Sequence, residues 1–369
     1  MLNWARKGLG LKEEMHGAAA VQSVGEQVSA TPYTLTTRDD HKWTLLEETN
    51  VETKTFYVFT DDGQICMFQV VYSSLLGMKK TTTVNVKIFP KKAGDKVVLW
   101  DTDELKSWSW SDDKADFKGD YSSATISADG KSYHLKTQNT KVSADLTFTQ
   151  AAPGFKVGAN GTTTFGTDPA APWGRMVHHF WPRCTVTGSI SGNGTVVDVK
   201  GRGMYAYALQ GMKPHFAASR WNFFTFQGPT YSAILMEFIT PPAYENTVVS
   251  VGGVAKDGEI LFAGASPATS VKHDATQVDK KNKLPVPTDA TFIIGGAGST
   301  ATRTGPVGTR LDLIDIMGEL PTLVKNIAVS ASGTQPYIYQ YGPESTLNIA
   351  GTQQAQETGP SFIEATFIS

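Results

Sequence analysis

The sequence predicts a mainly β protein, two barrels in tandem behind an N-terminal amphipathic helix. Three observations carry this. Short runs alternate apolar and polar residues with a period of two. Glycine, at 35 of 369 residues, punctuates those runs, often as Asp-Gly or Asn-Gly. Two aromatic hairpins, "FYVFTDDGQICMFQVV" and "WNFFTFQGPTYSAILMEF", open the two halves alike: aromatic strand, glycine turn, apolar strand. That self-similarity places a division near 188–195. It leaves 1–31 as helix and tether, 32–190 as the first barrel and 191–369 as the second.

The helix is read from "MLNWARKGLGLKEEM". At about 100° per residue, Met1, Leu2, Trp4, Ala5, Leu9, Leu11 and Met15 fall within one half of the wheel. Arg6 and Lys7 lie on the opposite face with Asn3, Glu13 and Glu14. An aromatic, a leucine face and early basic charge are what a helix needs to lie at a membrane surface. Packing of the stripe on its own domain and a mitochondrial transit peptide are the alternatives. The following "HGAAAVQSVGEQVSAT" is small and polar and reads as a tether.

The body then follows strand logic. In "TTTVNVKIF", Val84, Val86 and Ile88 share one face, and Asn85 and Lys87 take the other. "YSSATISADGKSYHLKTQ" and "VVSVGGVAKDGEILFAG" read as hairpins turning at Asp129-Gly130 and Asp257-Gly258. "SADLTFTQ" alternates Ala144, Leu146 and Phe148 against polar partners. "SAILMEFIT" is apolar on both faces, so it reads as a central or doubly covered strand. "ELPTLVKNIA" has helical spacing through Leu320, Leu323, Val324 and Ile327. The strands "PYIYQY" and "EATFIS" follow. Many strands, a helix laid against the sheet and a closing strand give a lipocalin-type barrel, which hides its edges by closure and can hold one apolar ligand.

Composition removes several classes. A formal net charge of -2 gives no basic footprint for nucleic acid. Cys66 and Cys184, the only cysteines, form neither a disulfide scaffold nor a zinc module and read as buried reduced thiols. No run reaches the ~18 apolar residues of a spanning helix, and the N-terminus lacks the apolar core of a secretory signal. The "NGT" triplets at Asn160 and Asn193 therefore read as turns rather than glycosylation sites. No hydrolase elbow, zincin or nucleotide-binding sequence occurs, and "IIGGAGST" reads as a turn or bulge. No metal and no cofactor is expected.

Three clusters could carry chemistry. In "PWGRMVHHFWPR", His178 and His179 point to opposite faces of a strand and cannot chelate one ion together. Trp173, His178 and Trp181 are candidates for a ligand pocket or for the contact between barrels. "LQGMKPHFAASRWNFFTF" adds Lys213, His215, Arg220 and Trp221, which either orient a ligand head group or lock the barrels together; "AASRW" reads as one helical turn. Glu237, inside "AILMEFI", needs a partner or a raised pKa. It reads as a structural pair or as a general acid.

These segments, with "NVETKTFYVFTDDGQICMFQVVYSSLLG", "PGFKVGANGTTTFG", "YSAILMEFITPP", "RLDLI" and "PYIYQY", resemble the fungal survival factor family along almost the whole chain. Gln335 replaces a lysine of that pattern, and the connection "SISGNGTVV" is more compact than in other members. The resemblance implies two lipocalin-like domains and a cytoplasmic monomer attached peripherally to endoplasmic reticulum and Golgi membranes by the N-terminal helix, with the nucleus as a further compartment. It implies a non-catalytic carrier of a sphingolipid, ceramide being the cargo, moved between the two membranes and supporting survival of oxidative stress. It also implies N-acetylation at the Met1-Leu2 start, which would remove a charge from the helix end. Similar paired folds include pericyclases and hydratases. The rival reading is thus an enzyme acting on an apolar substrate, with Glu237, His178 or His215 as its polar group.

Overall fold

A computed structural model describes residues 14–75, 77, 79–92, 95–319, 336–352 and 354–368, with only the backbone at Pro214, His215, Met317 and Glu319. The expected membrane helix, with Met1, Leu2, Trp4, Ala5, Arg6, Lys7 and Leu9, lies outside the described residues, as does nearly all of the helix expected at 319–328.

Two antiparallel sheets curl into barrel-like bodies. The first follows the path Leu99–Glu104, Lys79–Ile88, Ile65–Leu75, Asn50–Thr60, Thr195–Gln210, Gly174–Gly192, Val142–Gln150, Ser132–Gln138 and Ser122–Ile126, ending on Phe117–Gly119 and Trp108–Trp110. The second runs Glu259–Ala265, Val248–Lys256, Tyr231–Ile239, Arg220–Gln227, Ala355–Phe367, Glu344–Ala350, Ser299–Pro306, Pro285–Gly296 and Ser270–Val278. Tyr337–Tyr341 pairs with the C-terminal half of Ala355–Phe367 and carries Arg310–Asp315 on its other side.

The hairpins form where Asp-Gly and Asn-Gly allow them. Asn193 and Gly194 both have positive φ, 50° and 74°, the two-residue turn whose twist matches its strands. This corrects the domain division. The tip at 193–194 joins two fully paired strands of the first sheet, Val142–Gln150 lies beyond one and Asn50–Thr60 beyond the other. The chain therefore passes to the second sheet between Gln210 and Arg220, not at 190. The helical turn expected at 217–221 sits at Pro214–Ala217, and Arg220 and Trp221 already belong to a strand. In the second body Gly264 approaches Gly295 so closely that a Cβ at 264 would lie 2.1 Å from the Gly295 carbonyl oxygen. Only glycine permits this meeting of Glu259–Ala265 with Pro285–Gly296.

Three apolar cores result. The first barrel is filled by Trp43, Phe56, Phe68, Tyr133, Phe148 and Trp181 among others. The second encloses Phe224, Leu235, Phe292, Tyr339, Ile363 and Phe367. Between them, Tyr57, Met67, Phe89 and Phe180 of the first sheet meet Phe223, Ile234, Phe238 and Phe362 of the second. Tyr231–Ile239 is doubly covered as expected, with Ala233 and Leu235 facing its own barrel and Ile234 and Phe238 the seam.

The segment 16–31 is not a free tether. His16 and Gly17 donate to the Ala243 carbonyl at 2.8 and 3.1 Å, Val21 pairs with Phe165, and Val24 is buried in the seam. Its spaced Ala20, Val21 and Val24 suffice to dock it although its composition is polar. Lys87 departs from the expectation too. Its strand alternates as read, but the polar face meets the other barrel, so Lys87 is buried and pairs with Asp312 and with Gln340 Oε1 at 2.8 Å.

Candidate functional site

The two barrel interiors differ in kind. In the first, Lys54 occupies the centre. Its Nζ donates to the His41 carbonyl at 2.6 Å, to Tyr133 Oη at 3.1 Å and to the Ala115 carbonyl at 3.4 Å, and lies 4.7 Å from the Trp43 ring. All three ammonium donors are used. Burial pushes the Lys54 pKa down and that of neighbouring Glu52 up. Glu52 accepts from the Thr44 and Leu45 amides and from Tyr207. Trp181 donates to His41 Nε2 at 3.0 Å and is fully buried here. It belongs to neither a pocket nor the contact between barrels; its side chain alternates with seam-facing Phe180 and so points the other way. Cys66 and Cys184 are free and buried in the same core, as expected, and burial pushes the Cys66 thiol up to about 12.

The second interior is packed, and at one end of this body lies an open, largely polar hollow of about 800 Å³. Val286, Leu313, Tyr339 and Tyr341 line it together with the charged Asp279, Arg310 and Asp312. Arg310 lies over the Tyr339 ring at 5.7 Å, and Asn282 donates to Tyr339 Oη at 3.1 Å. The volume lies within the range of small-molecule sites. The strand "PYIYQY" signalled this wall, because alternation sets Tyr337, Tyr339 and Tyr341 on one face.

At the other end of the same barrel lies a polar layer. Glu237 Oε1 accepts from Asn222 Nδ2 at 2.9 Å; its Oε2 accepts from Ser250 Oγ at 2.7 Å and from the Val271 amide at 2.9 Å. Glu237 is thus the structural partner of three strands, the first of its two sequence readings. Asn222 Oδ1 faces His273 Nε2 at 2.8 Å. Burial and the nearby Arg220 charge hold His273 down at about 4, so the ring is neutral. Arg220 Nε is buried without a hydrogen-bond partner.

The remaining predicted residues fall elsewhere. His178 and Trp221 meet in the seam: His178 stacks on Phe180 at 6.3 Å and meets Trp221 edge-on at 5.9 Å, while Trp221 packs on Phe238 at 5.1 Å. This is the contact between barrels, one of the two alternatives for them. Burial lowers the His178 pKa to about 3, and its Nε2 is buried without a partner. His179 points the opposite way, stacked on Tyr207, as strand geometry requires. Trp173 is 46% exposed at the margin, donating to Tyr244 Oη at 3.1 Å. Lys213 lies 5.6 Å from the Phe216 ring. The side chain of His215 lies outside the described residues.

The sequence reading assigned no role to Arg183, at the end of "PWGRMVHHFWPR". It is buried, donates to the carbonyls of Gly228 and Pro229 at 3.0 and 2.6 Å and to Ser232 Oγ at 3.0 Å, and pairs with Asp257. Gly228, Pro229 and Asp257 lie in turns of the second sheet, and Ser232 lies at the start of its strand Tyr231–Ile239. Among the described residues no His, Cys, Asp and Glu side chains group as a metal site, and no described helix is long and apolar enough to cross a membrane.

A family model, the Svf1 family, matches residues 2–369. Curated relatives include the "Ceramide-binding protein svf-1" of Neurospora crassa, 46% identical over 383 residues, and the "Ceramide-binding protein svf1" of Aspergillus fumigatus, 43% identical over 399; each alignment covers 100% of both chains. Among solved structures, CghA aligns with TM-score 0.60 at 13% identity, covering 87% of this chain and 89% of its own. Kievitone hydratase from Nectria haematococca aligns with TM-score 0.55 at 12% identity, covering 96% and 98%. These likenesses show the lipocalin-like fold.

Proposed function

Since the chain belongs to the Svf1 family, we propose that it binds a lipid, ceramide or a close sphingolipid, within its second barrel. The observation that carries this is the contrast between the interiors. The first is filled by Lys54, Trp43 and Trp181, whereas the second carries at one end an open hollow of about 800 Å³ lined by Val286, Tyr339 and Tyr341 together with Asp279, Arg310 and Asp312. The relatives' printed names supply the ligand class. Carriage of that lipid between endoplasmic reticulum and Golgi by a cytoplasmic monomer is what the family resemblance implies, and the amphipathic pattern of residues 1–15 supports contact with a membrane surface. The enzyme reading loses its acid, since Glu237 is engaged by three donors.

One preparation tests both parts. Lipids extracted from the full chain purified from a fungal host should contain a stoichiometric sphingolipid by mass spectrometry. An empty protein that also fails to take up ceramide from vesicles would refute the carrier. In the same assay, Leu2→Asp with Leu9→Asp should abolish flotation with liposomes while the circular dichroism spectrum stays unchanged. Each leucine contributes about 1.5–3 kcal/mol when buried, so the pair accounts for most of a weak attachment. Flotation that survives would remove the helix as the anchor.

A further inference from the structure

We propose that the margin of the molecule around His16 is a membrane-docking face, with Trp173 and the loop before it entering the lipid surface beside the N-terminal segment. The inference rests on the reading that residues 1–15 contact a membrane, and it adds which side of the body is turned toward the bilayer.

The first observation is the lack of slack. His16 and Gly17 are fixed by their bonds to the Ala243 carbonyl at 2.8 and 3.1 Å. Ala20 then accepts from the Gly166 amide at 2.9 Å, and Val21 pairs with Phe165. An extended chain covers at most about 3.6 Å per residue. Residue 13 is therefore separated from His16 by about 11 Å at most. A helix lying at a membrane surface sinks its apolar face about 5–10 Å into it. A body joined to such a helix by so short a link is held against the bilayer, and the margin around His16 is the side that meets it.

That margin carries an exposed apolar surface. The His16 ring lies 5.0 Å from the Trp173 ring and 5.1 Å from the Tyr244 ring. Met15 is 61% exposed and Trp173 46%, and Ala171, Pro172 and Pro242 are exposed beside them. Trp173 Nε1 already donates to Tyr244 Oη at 3.1 Å, so the ring can leave water without stranding its one donor. Tryptophan is also the side chain that membrane interfaces favour. The loop satisfies its own backbone: the Ala170 amide donates to Asp168 Oδ1 at 2.9 Å, and the Ala171 amide to the Asp168 carbonyl at 3.0 Å. Asp168 and Glu245 are exposed on this margin. Attraction to anionic lipid therefore comes from Arg6, Lys7 and Lys12, and the loop contributes by burial. The apolar stripe of residues 1–15 cannot cover this loop and lie in lipid at once, so with the stripe in the membrane the loop is free to join it.

The test uses the full chain and vesicles of phosphatidylcholine with a minority of phosphatidylserine. A polarity-sensitive NBD dye is attached at Ala171→Cys and, in a second protein, at Val196→Cys, a position 70% exposed beside the turn at the far end of the strand Gly174–Gly192. Cys66 and Cys184 are fully buried and should stay unlabelled. On addition of vesicles the dye at 171 should brighten and shift to the blue, and the dye at 196 should not change. In flotation, Trp173→Ala should weaken vesicle binding about tenfold, since a half-exposed indole offers roughly 100 Å² for burial. Ala171→Asp should weaken it by a similar factor, and Val196→Asp should leave it unchanged. The loss in Trp173→Ala should be the same at low and high salt, because burial is not screened. A dye at 171 that stays in water while the wild type floats would overturn the docking face and leave the N-terminal segment as the whole anchor. A dye at 171 already shielded before vesicles are added would overturn it too, making the chain's own N-terminus the cover. A wild type that does not float would instead refute the membrane reading, and the face with it.

Discussion

Arg183→Met is expected to lower the stability of the full chain by about 3 kcal/mol, the largest loss for any single change between the barrels. Methionine keeps the apolar bulk of the stem and removes the fork. Two buried acceptors, the Gly228 carbonyl and Ser232 Oγ, and the carbonyl of the exposed Pro229 then lose their donor. Each unsatisfied group costs about 1–3 kcal/mol, reduced wherever water can reach it. Asp257 contributes little, because its side chain is 76% exposed and surface pairs are worth about 0–1 kcal/mol. Asp257→Asn is therefore expected to change stability by less than about 0.5 kcal/mol. Denaturant midpoints for the two variants decide the matter. If the two substitutions cost the same, the carbonyl clamp is not what joins the barrels here.

This clamp is also where sequence reading stops. Period-two alternation identified the strands and the faces of Val84, Val86, Ile88, Ala144, Leu146 and Phe148, because in and out is a local property of a pleated strand. It could not say what lies outside. Lys87 alternates like a solvent-facing residue, yet it stands against Asp312 and Gln340 of the other barrel, more than two hundred residues on. Arg183 gives no local sign of partners 45 to 74 residues away. The turn at Asn193-Gly194 is legible as a turn, but turns and domain linkers share glycine and asparagine, so the expected boundary falls within a hairpin.

The candidate site was legible in the same uneven way. Glu237 announced itself, since an acid in an apolar strand must find partners. His273 did not, because "SVKHDATQV" is a mostly exposed strand whose polarity hides the one inward ring. The tyrosine wall was visible as a pattern, but the cavity it bounds depends on how the second sheet curls, which is fixed by Gly264 and Gly295 meeting across the sheet.

The last prediction separates a hollow barrel from a filled one by comparing two enlargements. Val286→Trp adds an indole where Val286 already borders the cavity of about 800 Å³. Ala144→Phe adds a ring in the first barrel, where Ala144 lies among close-packed Phe148, Leu146 and Val142. Overpacking a filled core costs about 1–3 kcal/mol, because neighbours are driven off their rotamers. Filling a void costs little and can gain dispersion contacts. Ala144→Phe should therefore lower the denaturant midpoint and leave ceramide uptake intact in the molecules that remain folded. Val286→Trp should hold the unfolding free energy within about 0.5 kcal/mol of the wild type and reduce uptake from vesicles at least tenfold, since the indole takes the place of the lipid chain. The opposite pattern, uptake lost on enlarging the first barrel and kept on enlarging the second, would move the lipid to the Lys54 side. The ligand would then have to displace a fully hydrogen-bonded ammonium, a far costlier event than entering a void.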